Sequence, residues 1–258
     1  MADMFRLDGK VAVVIGGGGG IGKVLALGLA RQGAKVAIAS RNLEKLEGVA
    51  KELRGDADVK TEVKAFQVDA ADEKSIAKVV QDIVAAFGTV DILVNSQGQN
   101  IKQPFAEFPL GDWNSMFESN VKSVMLACRE FGKVMLKQKS GKIINISSVV
   151  GRWAPPLAGN AGYSATKGAV DQITRSLAFE WASTPINVNA IGPSVILTPM
   201  MEKALPPDVL AKAASLHPLG RLAKPEELVG VCVFLASPAS DYMTGQIVYV
   251  DGGRSCIA

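Results

Sequence analysis

Five consecutive glycines, residues 16–20, followed by Ile21 and Gly22, separate an apolar run from an amphipathic one. Few folds have a use for such a tract. Residues 10–15 carry Val11, Val13, Val14 and Ile15 and read as a short buried strand. Beyond the glycines, Val24, Leu25, Leu27 and Leu29 make a broad apolar helical face that runs to about Gln32 and stops at Gly33. Residues 35–39 form a second apolar strand, which completes a βαβ unit with a glycine-rich first turn. In that setting glycines let the backbone approach a pyrophosphate, and the helix N-terminus offers N–H groups and the positive end of its dipole. Two patterns coexist, Gly17-x-Gly19-x-x-Gly22 and Gly16-x-x-x-Gly20-x-Gly22, with Gly18 and Ile21 inside the same turn. Spacing alone does not choose between them.

The end of the second strand predicts which dinucleotide. An acidic residue there suits the free ribose hydroxyl of NAD. This chain has Ser40 and Arg41, a hydroxyl and a guanidinium, which suit a 2′-phosphate and favour NADP(H) over NAD(H).

Strands and helices keep alternating: helix 42–53, strand 63–68, helix 72–87, strand 92–95, one long helix 112–136, strand 142–146, helix 163–181, strand 186–191, helix 225–235 and strand 247–250. The expected fold is a single α/β domain over residues 1–258, a Rossmann-type doubly wound parallel sheet of about seven strands with helices on both faces. Such sheets bind ligands at the carboxyl ends of their strands. There lie Asp69 and Ala70, Asn95, Gln97 and Gly98, Ser147 and Ser148, and Pro193. Residues 194–215, with Thr198 and Pro206-Pro207, read as a lid with short helices.

Tyr163 and Lys167 sit four residues apart, on one face of a helix. A free phenol has a pKa of about 10, and bringing it near 7 takes roughly 4 kcal/mol. One cation at about 4 Å, in an effective dielectric of about 20, supplies that much, so Lys167 is expected to tune Tyr163 as a general acid/base.

Composition removes several alternatives. Charge is +3, with Lys and Arg interspersed among Asp and Glu, which gives no stripe for nucleic acid. Cys128, Cys232 and Cys256 are odd in number and far apart, as in a reducing compartment. His217 is the only histidine, so the sequence points to neither a Ser-His-Asp triad nor a His/Cys metal site. No stretch of 18 apolar residues or signal-like N-terminus occurs, and the expectation is a cytoplasmic protein off the membrane.

Taken together, seven segments in order resemble the short-chain dehydrogenase/reductase family over essentially the whole chain. They are Gly16-x-x-x-Gly20-Ile21-Gly22, Asn95-Ser96-Gln97-Gly98, Asn120, Ile144-Asn145-Ile146-Ser147-Ser148, Tyr163-x-x-x-Lys167, Pro193-Ser194, and Thr244-Gly245-Gln246 with Val250-Asp251-Gly252-Gly253. Ile15, Ser96-Gln97 and Ser194 depart from the family's usual Thr, Asn-Ala and Gly. The resemblance implies hydride transfer between a nicotinamide and a carbonyl or secondary alcohol. It implies that Tyr163 exchanges the proton, Ser148 binds the substrate oxygen, Lys167 lowers the Tyr163 pKa and holds the nicotinamide ribose, and Asn120 positions a water. It also implies a homotetramer paired through helices 112–136 and 163–181. A cofactor-holding scaffold without turnover is the non-enzymatic alternative.

For the substrate, residues 217–221, 225–228, 239–242 and 111–114 are similar to gluconate 5-dehydrogenase-like members, which implies a keto-sugar acid or polyol. Val195, Ile196, Leu197, Met200, Met201 and Leu205, with Trp153, Pro155, Pro156 and Leu157, suggest instead an apolar wall suited to a 3-oxoacyl thioester. Gln97, Arg152 and Trp153 join Ser148 and Tyr163 as candidate substrate contacts, Arg152 for a carboxylate.

Overall fold

The computed structural model describes residues 3–154 and 158–256; Pro155, Pro156 and Leu157 of the expected apolar wall lie outside them. One parallel sheet of seven strands has the order β3-β2-β1-β4-β5-β6-β7. The strands are β1 Val11–Ile15, β2 Lys35–Ser40, β3 Val63–Gln67, β4 Ile92–Asn95, β5 Gly141–Ile146, β6 Ile186–Pro193 and β7 Ile247–Val250. β1 is buried along its whole length, which is why it reads as an unbroken apolar run rather than an alternating one.

Helices cover both faces. On one side α1 Gly20–Arg31, α2 Leu43–Arg54 and α9 Val229–Ala236 pack Leu25, Leu29, Leu46 and Cys232 against Val14, Val36 and Ile144. On the other, α3 Glu73–Phe87, α5 Ser123–Gln138 and α6 Ala161–Glu180 pack Ile76, Ile83, Phe131 and Val170 against Val13, Leu93 and Ile143. The caps are legible: Asn42 accepts from Lys45 N at 2.8 Å, Asp72 accepts from Ser75 N at 2.7 Å, and Gly88, at φ +83°, ends α3. Cys128 and Cys232 are buried and Cys256 is exposed, all three unpaired. No helix of the described residues is long and apolar enough to cross a membrane.

The long helix expected over 112–136 is present as continuous helical backbone, divided by a π turn, Glu118–Lys122, into α4 Leu110–Phe117 and α5. Asn120 lies in that turn, and its amide nitrogen donates outside the helix, to Gln99 O and Thr166 Oγ1. Between β6 and α9, α7 Pro199–Ala204 and α8 Pro207–Ala214 occupy the stretch read as a lid.

β4 pairs with the opposite edge of β1 from β2, so the strand order reverses between β1 and β4. That reversal opens a crevice at the carboxyl ends of these two strands.

Candidate active site

The glycine turn fills the crevice. Gly16 has φ +83°, and a Cβ there would stand 2.8 Å from Gln97 N, on the loop after β4. A Cβ on Gly22 would collide with the Gly16 carbonyl oxygen. These contacts, with Gly20 at φ +50°, explain the glycines at 16, 20 and 22, and a Cβ on Gly17 would likewise stand 2.8 Å from the Ile38 side chain, so the turn uses glycines of both patterns. Helix α1 begins at Gly20 with no side-chain cap and no acidic residue in its first turn, so its N–H groups face outward to receive an anion.

Around that N-terminus, a Cβ on Gly18 would stand 3.1 Å from Ser40 Oγ, and one on Gly19 would stand 3.3 Å from Lys45 Nζ. Arg41 is exposed and makes no ion pair among the described residues; its carbonyl accepts from Gln67 Nε2 at 3.0 Å. The turn, with Ser40 and Lys45 beside it and Arg41 next in the chain to Ser40, supplies polar and cationic groups that fit a dinucleotide bearing an extra phosphate. Sequence reasoning missed Lys45, since only the fold brings the first turn of α2 beside the glycines. Thr198 caps α7, accepting from Met201 N at 3.3 Å, and its Cγ2 lies 3.9 Å from where a Gly20 Cβ would be.

Other expected cofactor residues are used inside the fold. Asn95 Nδ2 donates to Asn145 Oδ1 at 2.9 Å, and Asn145 Nδ2 donates to Thr174 Oγ1 at 2.9 Å, a buried ladder from β4 through β5 to α6. Asp69 accepts from Ala71 N at 3.0 Å and shapes the turn that carries Ala70. Gln97 Nε2 reaches Asn95 Oδ1 at 3.4 Å, and its Oε1 is buried without a hydrogen bond.

Next to the crevice a cavity of about 690 Å³ is lined by Ser148, Tyr163, Trp153, Ser194 and His217, with α7, α8 and Arg254 at its sides. Ser148 follows β5 and Tyr163 lies in the first turn of α6, so two elements bring these hydroxyl-bearing residues to the lining of one space. Ser148 Oγ donates to Pro193 O at 3.3 Å. Beneath them Lys167 is buried, and its Nζ donates to Ile146 O at 2.7 Å. Asn120 ties the loop after β4 to α6: its Nδ2 donates to Gln99 O at 2.8 Å and to Thr166 Oγ1 at 3.0 Å, while its Oδ1 accepts from Gln99 N at 2.8 Å.

The electrostatics differ from the expected tuning. Burial pushes the Tyr163 phenol up to about 12, and no lowering by Lys167 offsets it. The Lys167 ammonium stands 5.5 Å from the Tyr163 ring centroid and bonds a carbonyl instead of the phenolic oxygen, so desolvation wins at this separation. Lys167 itself is lowered to about 8, first by burial, with Asp171 acting against the shift. Tyr163 thus holds its proton at neutral pH and is a donor.

Of the candidate substrate contacts, Trp153 lines the cavity, edge-on to Tyr249 at 4.8 Å. The Arg152 guanidinium lies over the Trp153 ring at 4.8 Å and is not part of the lining. Ile196 is buried in a bridge to Ala223, whereas Val195, Met201 and Leu205 do line the cavity. So do Lys102, Lys212 and Arg254, for which no ion pair is seen among the described residues, and Asp208. Sequence reasoning missed these cations: they come from three separate segments, and no spacing links them.

Comparison with known proteins places the whole chain among relatives. A family profile described as enoyl-(acyl carrier protein) reductase matches residues 16–255. The 3-oxoacyl-[acyl-carrier-protein] reductase FabG of Thermotoga maritima is 38% identical over 96% of this chain and 98% of its own length. Gluconate 5-dehydrogenase of Gluconobacter oxydans is 36% identical over 97% and 96%. The crystal structure of a gluconate 5-dehydrogenase from Burkholderia cenocepacia in complex with NADP and tartrate superposes with a TM-score of 0.91, at 36% identity, covering 98% of each chain. Near-complete coverage in both directions, on a sheet that carries the glycine turn and the Tyr-x-x-x-Lys helix where the sequence put them, makes this chain a member of the short-chain dehydrogenase/reductase family.

Proposed function

We propose that this chain is an NADP-dependent oxidoreductase acting between a carbonyl and a secondary alcohol, with a keto-sugar acid or polyol as substrate. The observation that carries the proposal is that Ser148 and Tyr163 line one cavity, with Lys167 buried one helical turn from Tyr163. When bound, the nicotinamide supplies or accepts the hydride. The chain's residues do the rest. The turn at residues 16–22 and the N-terminus of α1 would hold the pyrophosphate, and Ser40, Arg41 and Lys45 would hold the 2′-phosphate. Ser148 turns its hydroxyl from Pro193 O to the substrate oxygen. Tyr163, protonated at neutral pH, delivers its proton to that oxygen during reduction. Lys167 would offer its positive charge to the nicotinamide ribose, and Asn120 keeps the loop after β4 against α6 so that this charge stays in place.

A sugar acid is favoured by the cavity's own lining, where Lys102, Lys212 and Arg254 outnumber Asp208 and Ser148, Ser194 and Ser255 add polar groups. A second reading, reduction of a 3-oxoacyl thioester, is favoured by Val149, Val150, Leu205, Val209 and Leu216 on the same lining and by the likeness to the Thermotoga reductase. Residues 194–215 act as the lid over either substrate. A cytoplasmic homotetramer is part of the proposal, supported by outward apolar side chains on the two long helices: Phe179, 87% exposed on α6, and Met125 and Leu136 on α5.

The test is a panel of 5-ketogluconate, simple ketoses and a 3-oxoacyl thioester, each assayed with NADPH and with NADH. A thioester preferred by more than about tenfold in kcat/KM would exchange the two readings, and no turnover of any ketone would remove both.

A further inference from the structure

Ser194 and His217 stand at the two feet of the segment that carries α7 and α8, and they bond to each other. His217, 5% exposed, has Nδ1 2.9 Å from the Ala213 carbonyl oxygen and Nε2 2.7 Å from Ser194 Oγ. A carbonyl oxygen only accepts, so Nδ1 carries a proton and donates it. In the neutral imidazole Nε2 is then the lone-pair nitrogen, and the Ser194 hydroxyl donates to it. With its single hydrogen held by the ring, Ser194 Oγ has only lone pairs to offer elsewhere.

Both residues line the cavity shared by Ser148 and Tyr163. Ser194 also follows Pro193 directly, and the Pro193 carbonyl receives the Ser148 hydroxyl. An oxygen restricted to accepting therefore stands one residue from the point where Ser148 is anchored. It is part of the substrate chamber, and the proposed roles of Ser148 and Tyr163 leave it unused.

We propose that the Ser194–His217 pair is a specificity-determining acceptor that reads a hydroxyl on a carbon next to the reacting carbonyl, so that α-hydroxyketones are preferred over ketones lacking that hydroxyl. The inference rests on the ketone reduction proposed above and deepens its substrate class. A site built to hydrogen-bond a substrate O–H discriminates against the analogue without it, because the acceptor is then left unpaired in a desolvated place. His217 acts through Ser194 as a positioning residue: it fixes which way the serine hydrogen points.

The experiment compares 5-ketogluconate with its 4-deoxy and 6-deoxy analogues, at pH 8 with NADPH, in the native protein and in Ser194→Ala and Ser194→Thr. The native protein is expected to prefer 5-ketogluconate over one deoxy analogue by at least about tenfold in kcat/KM. Ser194→Ala is expected to bring that ratio within about threefold while NADPH affinity holds, and Ser194→Thr, which keeps the hydroxyl, to restore it. A binding measurement removes dependence on turnover. In a Tyr163→Phe background, quenching of bound NADPH fluorescence by 5-ketogluconate should weaken by at least about tenfold on adding Ser194→Ala. Equal losses on all three ketones would mean that the pair merely fastens the segment, and an unchanged ratio would mean that Ser194 does not touch substrate. Either result overturns the inference and leaves ketone reduction standing. Failure of the native protein to reduce 5-ketogluconate, ketoses or thioester would instead remove the parent reading, and the inference with it.

Discussion

Replacing Asn120 by alanine probes the brace between the loop after β4 and α6. Asn120 is fully buried, and four hydrogen bonds end on its amide: two donated by Nδ2 to Gln99 O and Thr166 Oγ1, two accepted by Oδ1 from Gln99 N and Ser119 Oγ. At about 1 kcal/mol net for each, their loss totals roughly 4 kcal/mol. The void left by the amide admits water to the half-buried Gln99, and Thr166 keeps its bond to Tyr163 O at 2.7 Å, which lowers the expected loss to roughly 2–4 kcal/mol. For a chain of this size that corresponds to a fall of roughly 4–16 °C in melting temperature. Asn120→Asp keeps the shape but sets a carboxylate oxygen against the Gln99 carbonyl, so it should cost at least as much as alanine. Turnover should fall at least about tenfold, because a Gly98 Cβ position lies only 3.0 Å from Asn120 Oδ1 and 3.8 Å from Lys167 Nζ, and the loop sets the surroundings of that cation. Thermal unfolding followed by circular dichroism, with kcat measured below the transition, checks both effects. If Asn120→Ala melts within about 2 °C of the native protein, the bonds do not brace the fold and the reasoning fails.

Further outcomes are expected at the site. Tyr163→Phe should lower turnover by at least about 10² while leaving NADPH titrations nearly unchanged, and near-native activity would remove Tyr163 from its proposed role. Arg41→Ala should weaken NADPH binding roughly 10- to 150-fold, the equivalent of about 1.5–3 kcal/mol for a charge-assisted phosphate contact, and spare NADH; equal affinity of the native protein for both cofactors would refute this. Turnover should fall as pH rises through about 8, where Lys167 loses its charge, and a profile flat to pH 10 would contradict it. The same shift has a stability sign. The folded-state value is below the ordinary 10.5, so between about 8 and 10.5 the unfolded chain binds the proton that the folded chain has released. Lys167 therefore costs stability below about 8, and that cost fades as pH rises toward 10.5; the corresponding slope should vanish from urea melts of Lys167→Met.

What could be read ahead of the structure had local causes. A buried strand, a glycine turn and an amphipathic helix each leave a periodicity within a dozen residues, and Tyr163 and Lys167 share a face because helices repeat as they do. The serine at the end of β5 was legible for the same reason. Interactions across long separations were not. Asn120 bonds to Gln99 and Thr166, 21 and 46 residues away, and nothing in residues 112–136 announces the π turn that accompanies those bonds. Lys45 meets the glycines only because α2 folds back along β2. The Tyr163 value turned on burial and on where the Lys167 ammonium points, and sequence spacing reports neither. Ser194 was visible as a departure from glycine, but its partner His217 lies across two short helices.

The order β3-β2-β1-β4-β5-β6-β7 also bears on how the molecule reaches this state. From β1 outward, every strand is laid beside one already in place, first toward β3 and then, after a single jump across β1, steadily toward β7. Only the β1–β4 pairing, Ala12 with Ile92, must close a loop of some eighty residues before it gains any contact. That closure should be the slow step of refolding, since distant parallel pairings impose their entropy before their reward. During synthesis the first three strands have time to assemble before β4 arrives, and the four later ones can then dock in the order in which they are made. β1, with the glycine turn at its end, is thus the seed from which the sheet grows as well as the floor of the crevice.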